Sequence, residues 1–123
     1  MASLIVLNGS QKDNYYPLGY RTNVIGRSES LMIQILDERI SRKHMKIIYD
    51  KEKKEYHAVD MGSKHGVYIN GDKIKNETRL VDSDFITVGT TTLWFTVKDF
   101  PNRESALLHY KKVGERSRPT YIE

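Results

Sequence analysis

The chain has 123 residues, 38% apolar and 29% charged, with a net charge of +4 and no cysteine. That length suits one domain with a single core. The composition excludes a disulfide scaffold and a thiolate metal site, and no apolar run approaches the ~18 residues of a membrane span.

In chain order, short runs rich in Val, Ile, Tyr and Thr recur between turn residues. They are SLIVLN (3–8), TNVIG (22–26), MIQIL (32–36), HMKIIYD (44–50), EYHAVD (55–60), VYIN (67–70), FITVG (85–89) and TLWFTVK (92–98). Met45, Ile47 and Tyr49 share one face of their run. Leu93, Phe95 and Val97 share one face of another, with Thr92, Thr96 and Lys98 opposite. Alternation of this kind predicts half-buried strands. Many such strands predict an all-β, two-sheet sandwich or a barrel. Asn70-Gly71 predicts a tight hairpin, because both central residues of that turn need positive φ. Charged loops are expected at 50–54 and at Asp82-Ser83-Asp84. After Pro101 the pattern changes. Asn102 is placed to cap a short helix with a stripe of Ala106, Leu107, Tyr110 and Val113, ended by Gly114. The expected organisation is a β-domain over 1–100, then a short helix and a tail or linker over 101–123. MASLIVLNG lacks the basic start and long apolar stretch of a secretory leader, so the expected setting is cytoplasmic.

Three blocks carry chemistry. Gly26-Arg27 follows a strand, Ser41-Arg42-Lys43-His44 precedes one, and DMGSKHGVYING (60–71) joins two more. Arg27 offers a planar, permanently charged fork suited to phosphate oxygens. Ser41 offers a small hydroxyl donor, and Arg42 or Lys43 adds charge. Gly62 and Gly66 read as turn formers. His44 has two readings, as a base acting on Ser41 or as a brace between loops. Asp60 nominally completes a triad, but nothing in the sequence brings it there. His57 and His109 show no metal-ligand spacing, and there is no P-loop. No metal, cofactor or enzymatic activity is expected.

Taken together, the blocks resemble the forkhead-associated (FHA) family of phosphothreonine-binding domains. Gly26-Arg27, Ser41 with His44, Asp60, Ser63, Gly66, Tyr68, Ile69 and Asn70-Gly71 match its pattern. So do Asp82, Asp84, Ile86 and Gly89, over roughly residues 3–98. The resemblance implies a twisted two-sheet β-sandwich that binds phosphothreonine peptides and mediates phosphorylation-dependent protein–protein interaction. It implies phosphopeptide contacts from Arg27, Ser41, Arg42, Lys43, Lys64 and His65. Structural support of that site is expected from Gly26, His44, Asp60, Ser63, Gly66 and Asn70. The chain departs from the pattern where Lys64 and His65 replace a hydroxyl residue and an asparagine. His65 is expected to gain a proton as pH falls from about 7.5 towards 6.5 and so to become a further cation beside the phosphate.

The expected partner is a phosphothreonine-bearing protein or peptide, or another domain of a longer parent chain. No membrane partner is expected. Two other readings stay open. One is an FHA-like scaffold that has lost phosphopeptide binding and serves dimerisation or domain packing. The other is nucleic-acid binding through Arg21, Arg39, Arg42, Lys43 and Lys64 with Tyr15 and Tyr16; against it, no aromatic-basic motif of a known nucleic-acid fold is present.

Overall fold

A computed structural model describes residues 1–117 of the chain. Two sheets face each other. The six-stranded sheet runs in the order β2-β1-β11-β10-β7-β8, and the five-stranded sheet in the order β4-β3-β5-β6-β9. The strands are β1 Ser3–Val6, β2 Tyr15–Pro17, β3 Asn23–Gly26, β4 Ile33–Gln34, β5 Met45–Asp50, β6 Glu55–Asp60, β7 Val67–Ile69, β8 Asp72–Lys73, β9 Thr78–Leu80, β10 Phe85–Val88 and β11 Thr91–Thr96. Every expected run overlaps one of them. Three strands went unforeseen: β2, β8 and β9. Each is two or three residues long and exposes at least one of them. They are edge or near-edge pieces defined by their neighbours more than by their own pattern.

Between the sheets lies the main core, including Leu4, Ile25, Met45, Ile47, Val67, Ile86, Leu93 and Phe95, with Tyr49 packed against it. The face shared by Met45, Ile47 and Tyr49 is therefore the inner one. Strand β11 differs from expectation, being buried along its whole length. Its second face carries Trp94, which packs with Ile5, Phe85, Ala106 and Tyr110 in a separate cluster. Val97 lies beyond the strand and is exposed.

That second cluster exists because the C-terminal segment folds over the outer face of the six-stranded sheet. Helix α1 spans Arg103–His109, and the Asn102 side chain accepts from the Ser105 N–H at 2.8 Å as its cap. A π-helical turn (Tyr110–Gly114) and a 3₁₀ turn (Glu115–Ser117) continue it. Ala106 and Tyr110 are buried as the stripe requires, but Val113 is exposed. Gly114 does not stop the helix. It is buried, and a Cβ there would meet the Trp94 ring at 2.6 Å. Close approach, not positive φ, is what requires glycine at this position. The expected tail beyond 117, including Thr120, lies outside the described residues.

The hairpin at Asn70-Gly71 forms as expected, with φ of 52° and 87°, between β7 and β8. Among the described residues, no helix is long and apolar enough to cross a membrane, and no cluster of His, Cys, Asp and Glu has the makings of a metal site.

Candidate functional site

The strand register sorts the loops between two ends of the sandwich. Ile25 pairs with Met45, Met45 with Asp60, and Val67 with Val88. The β3–β4, β4–β5, β6–β7 and β10–β11 loops therefore share one end, and these carry nearly all the chemistry-bearing residues.

Gly26 brings the first two together. A Cβ there would fall on the Arg42 carbonyl, with the Arg42 carbonyl carbon at 2.8 Å. With no side chain in the way, the two backbones zip: Arg27 N–H donates to the Ser41 carbonyl at 3.0 Å, and Ser28 N–H to that of Arg42 at 3.1 Å. The Arg27 Nε then donates to the Ile40 carbonyl at 3.0 Å. This aims an exposed guanidinium. Its two terminal nitrogens have no partner among the described residues.

His44 is fully buried and joins the β4–β5 and β6–β7 loops. Its Nδ1 accepts from the Ser41 N–H at 3.0 Å, so Nε2 carries the proton and donates to the Gly66 carbonyl at 2.7 Å. Both nitrogens are committed to backbone. The Ser41 hydroxyl accepts from the Lys64 N–H at 3.1 Å instead. Asp60 accepts from the Ser63 N–H at 2.8 Å, and the Ser63 hydroxyl from the Gly66 N–H at 2.9 Å. These residues shape a loop. His44 does not face the Ser41 hydroxyl as a base would, and Asp60 does not orient His44.

Gly62 and Gly66 take φ of +75° and +85°. They turn the chain so that Lys64 and His65 project while the loop stays tied down. The side chains of Arg27, Arg42, Lys43 and Lys64 stand exposed at this end, and so does that of Arg39. None of the five is in an ion pair among the described residues. The nearby carboxylate of Asp37 is occupied: it accepts from the Arg39 N–H, the Thr90 N–H and hydroxyl, and the Thr91 hydroxyl, at 2.8–2.9 Å. The end of the sandwich is thus a field of cations and N–H donors without paired anions, which is what a multiply charged anion requires.

A sequence model of the FHA domain matches residues 23–89, from the start of β3 to the end of β10. The chain belongs to the FHA family. It is 31% identical over 94 residues to the oxoglutarate dehydrogenase inhibitor of Corynebacterium jeikeium (strain K411), an alignment covering 76% of this chain and 63% of that protein. It is 32% identical over 78 residues to protein phosphatase 2C 70 of Arabidopsis thaliana, covering 55% of this chain and 13% of the phosphatase. The chain thus spans less than two thirds of either relative. Among solved structures, an FHA domain studied for phosphothreonine-dependent interactions superposes with a TM-score of 0.70 at 25% identity, over 80% of this chain and 98% of that one.

Within this FHA fold, two assignments change. Asn70 does not support the cationic loops. It sits at the opposite end, where its amide donates to Asp84 at 2.9 Å and accepts from the Phe85 N–H at 2.9 Å. Strand direction explains this: β7 leaves the cationic end at Val67 and reaches Asn70 at the other. Arg39 is the addition. One guanidinium nitrogen lies 3.3 Å from the His65 Nδ1. Partial burial of the ring, then the charges of Arg39 and Lys64, hold the His65 pKa below its ordinary value. The expected gain of a proton between pH 7.5 and 6.5 is therefore opposed. Only the tertiary fold brings residues 39 and 65 together, so no local motif marks the pair.

The basic patch imagined for nucleic acid is divided. Arg21 follows β2, whose Pro17 end pairs with Ser3 away from the cationic loops. Tyr15 is tied to Asp99 and Phe100, and Tyr16 packs against the core.

Proposed function

We propose that the chain is a phosphothreonine-peptide-binding module that recruits a phosphorylated protein, or docks another domain of a longer parent chain. The observation that carries the reading is the Arg27 guanidinium: anchored through Nε, unpaired at its two terminal nitrogens among the described residues, and borne by a loop at the same end of the sandwich as those of Ser41, Arg42, Lys43, Lys64 and His65. A phosphoryl group brings about −1.5 to −2 charges and three strong acceptor oxygens. The fork supplies two parallel donors, Ser41 supplies a hydroxyl, and the lysines supply charge. Gly26, His44, Asp60, Ser63 and Gly66 set the loops. The role is recognition without covalent chemistry, since the nitrogens of His44 are occupied by backbone. A cytoplasmic setting belongs to the same reading, because the kinases that make phosphothreonine draw on ATP.

The test is calorimetry with matched peptides carrying phosphothreonine, phosphoserine or threonine. Binding should require the phosphate and favour phosphothreonine over phosphoserine. Equal binding of the unphosphorylated peptide would sink the proposal and favour a packing scaffold.

A further inference from the structure

Four aromatic rings follow one another from the core to the surface. Phe95 lies 5.8 Å from Tyr56, centroid to centroid, Tyr56 4.9 Å from Tyr49, and Tyr49 4.8 Å from Tyr20. Phe95 is fully buried, whereas Tyr20 is 58% exposed. The last three rings line a cleft of about 320 Å³ together with Val81 and Val97, themselves 48% and 51% exposed. Tyr20 precedes β3, Val81 follows β9 and Val97 follows β11, so the register puts the cleft at the end of the sandwich opposite the cationic loops. Strands of up to six residues, at ~3.3 Å each, separate it from Arg27 by on the order of 20 Å.

The walls of the cleft are tied down. The Tyr56 hydroxyl donates to the Gly19 carbonyl at 2.6 Å and accepts from the Ala2 N–H at 3.3 Å, which fixes the loop that carries Tyr20. Asp82 Oδ1 accepts from the Thr96 hydroxyl and the Val97 N–H, both at 2.9 Å. Its Oδ2 has no partner among the described residues. Lys54 and Arg79 also line the cleft, and both are exposed. The concavity is therefore apolar at its walls, with cations and one carboxylate oxygen at its rim.

We propose that this cleft receives a tyrosine or tryptophan side chain of a protein partner, at a surface separate from the phosphopeptide loops. Three features choose that occupant. The first is shape. A two-fold pair of chains sets the same patch against itself, so cleft would face cleft and neither would be filled, whereas one large side chain anchored in a pocket is how interfaces concentrate their affinity. The second is the lining. A guest ring continues the succession of tilted rings at Tyr20, and the cations of Lys54 and Arg79 favour the face of a ring over an aliphatic chain. The third is the free Asp82 oxygen, which accepts from a phenol O–H or an indole N–H and so suits an aromatic side chain with a polar tip.

The test uses the full chain and unphosphorylated polyalanine peptides with tryptophan, tyrosine, leucine or alanine at the centre, followed through the Val81 and Val97 methyl NMR signals. Wild type is compared with a Tyr20→Ser, Val97→Ser double variant, whose altered side chains lie outside both core clusters. The tryptophan and tyrosine peptides should shift both valines and bind about ten-fold or more tightly than the alanine peptide, the worth of burying one such side chain. Leucine should fall between. The double variant should lose the aromatic gain and keep the wild-type Trp94 emission. A phosphothreonine peptide without an aromatic residue should leave the valine shifts in place. In wild type alone, unmoved valines, or a leucine peptide that binds as tightly as the aromatic ones, overturn the proposal. So does an aromatic gain kept in the double variant, or displacement of the aromatic peptides by the phosphopeptide. Self-association by sedimentation that vanishes in the double variant reassigns the cleft to a second copy and also overturns it. None of these outcomes touches the phosphopeptide reading, which calorimetry with phosphorylated peptides tests separately.

Discussion

Arg39 approaches the Nδ1 of His65 at 3.3 Å. A guanidinium has no acceptor and is always charged, so His65 must present a lone pair at Nδ1 and keep its proton on Nε2. Burial and the charges of Arg39 and Lys64 lower the His65 pKa. Without ligand, the ring should titrate below the ordinary histidine range in NMR, and Arg39→Ala should move its midpoint upward. Because the pH dependence of affinity follows the difference between the bound and free pKa values, calorimetry from about pH 7.5 to 6.5 reads how far a bound phosphate lifts the His65 pKa. A His65 midpoint that stays put in Arg39→Ala would mean that the Arg39 contact does not restrain the ring in solution.

Arg27 is expected to carry the largest single share of phosphopeptide affinity. Truncating one member of a desolvated charge pair costs ~2–5 kcal/mol, so Arg27→Ala should weaken binding on the order of thirty-fold or more. Arg27→Lys should recover only part of this. Lysine lacks both the Nε donor that meets the Ile40 carbonyl and the planar fork. Because the side chain is exposed, both variants should keep the wild-type unfolding midpoint. Unchanged calorimetric affinity in folded Arg27→Ala would remove it from the site.

Much of the framework was legible in the sequence, for identifiable reasons. Strands β5 and β6 alternate over their first four residues, β10 is rich in aromatic and β-branched residues, and Asn70-Gly71 has few conformations open to it. Gly26-Arg27 and Ser41 with His44 are local signatures of loops that meet. What escaped depends on contacts distant in sequence. Arg39 is 26 residues from His65. Gly114 reads locally as a helix stop, and only the packed Trp94 ring shows why no side chain fits there. Asn70 belongs to the same matched motif as Ser63 and Gly66, but a strand carries it to the opposite end.

Asp37 predicts an acid-dependent stability term. Partial burial raises its pKa, but hydrogen bonds from Arg39, Thr90 and Thr91 outweigh that and hold the carboxyl below its ordinary value. A depressed carboxyl pKa means that the unfolded chain takes up the proton first as pH falls. The stabilisation is therefore complete above the ordinary aspartate range, and it is lost as pH drops through the folded-state value. Asp37→Asn should lower the urea midpoint at pH 7, and by less near pH 3. It should also loosen the β4–β5 loop, since an amide cannot accept from the Arg39 and Thr90 N–H groups through both of its heavy atoms. An equal loss at both pH values would show that shape, not charge, is what the site needs there.

The C-terminal segment is proposed to be part of the folded unit and not a linker, and the chain's single tryptophan reports on it. Trp94 is fully buried, between the six-stranded sheet and the segment that carries Ala106, Tyr110 and Gly114. Its ring lies 5.1 Å from that of Tyr110, centroid to centroid, and leaves no room for a Cβ at position 114. Gly114→Ala must therefore displace either the indole or the π-helical turn. Overpacking of this kind typically costs ~1–3 kcal/mol. Alanine is the better intrinsic helix former, and that preference acts in the opposite direction by up to ~1 kcal/mol. The expected result is a lower unfolding midpoint with a red-shifted Trp94 emission, because the segment moves off and water reaches the indole. Phosphopeptide affinity should hold, since the cationic loops lie on other strands. If Gly114→Ala stabilises the chain and leaves the emission unchanged, the helical preference has won, and the segment does not press on Trp94 as described.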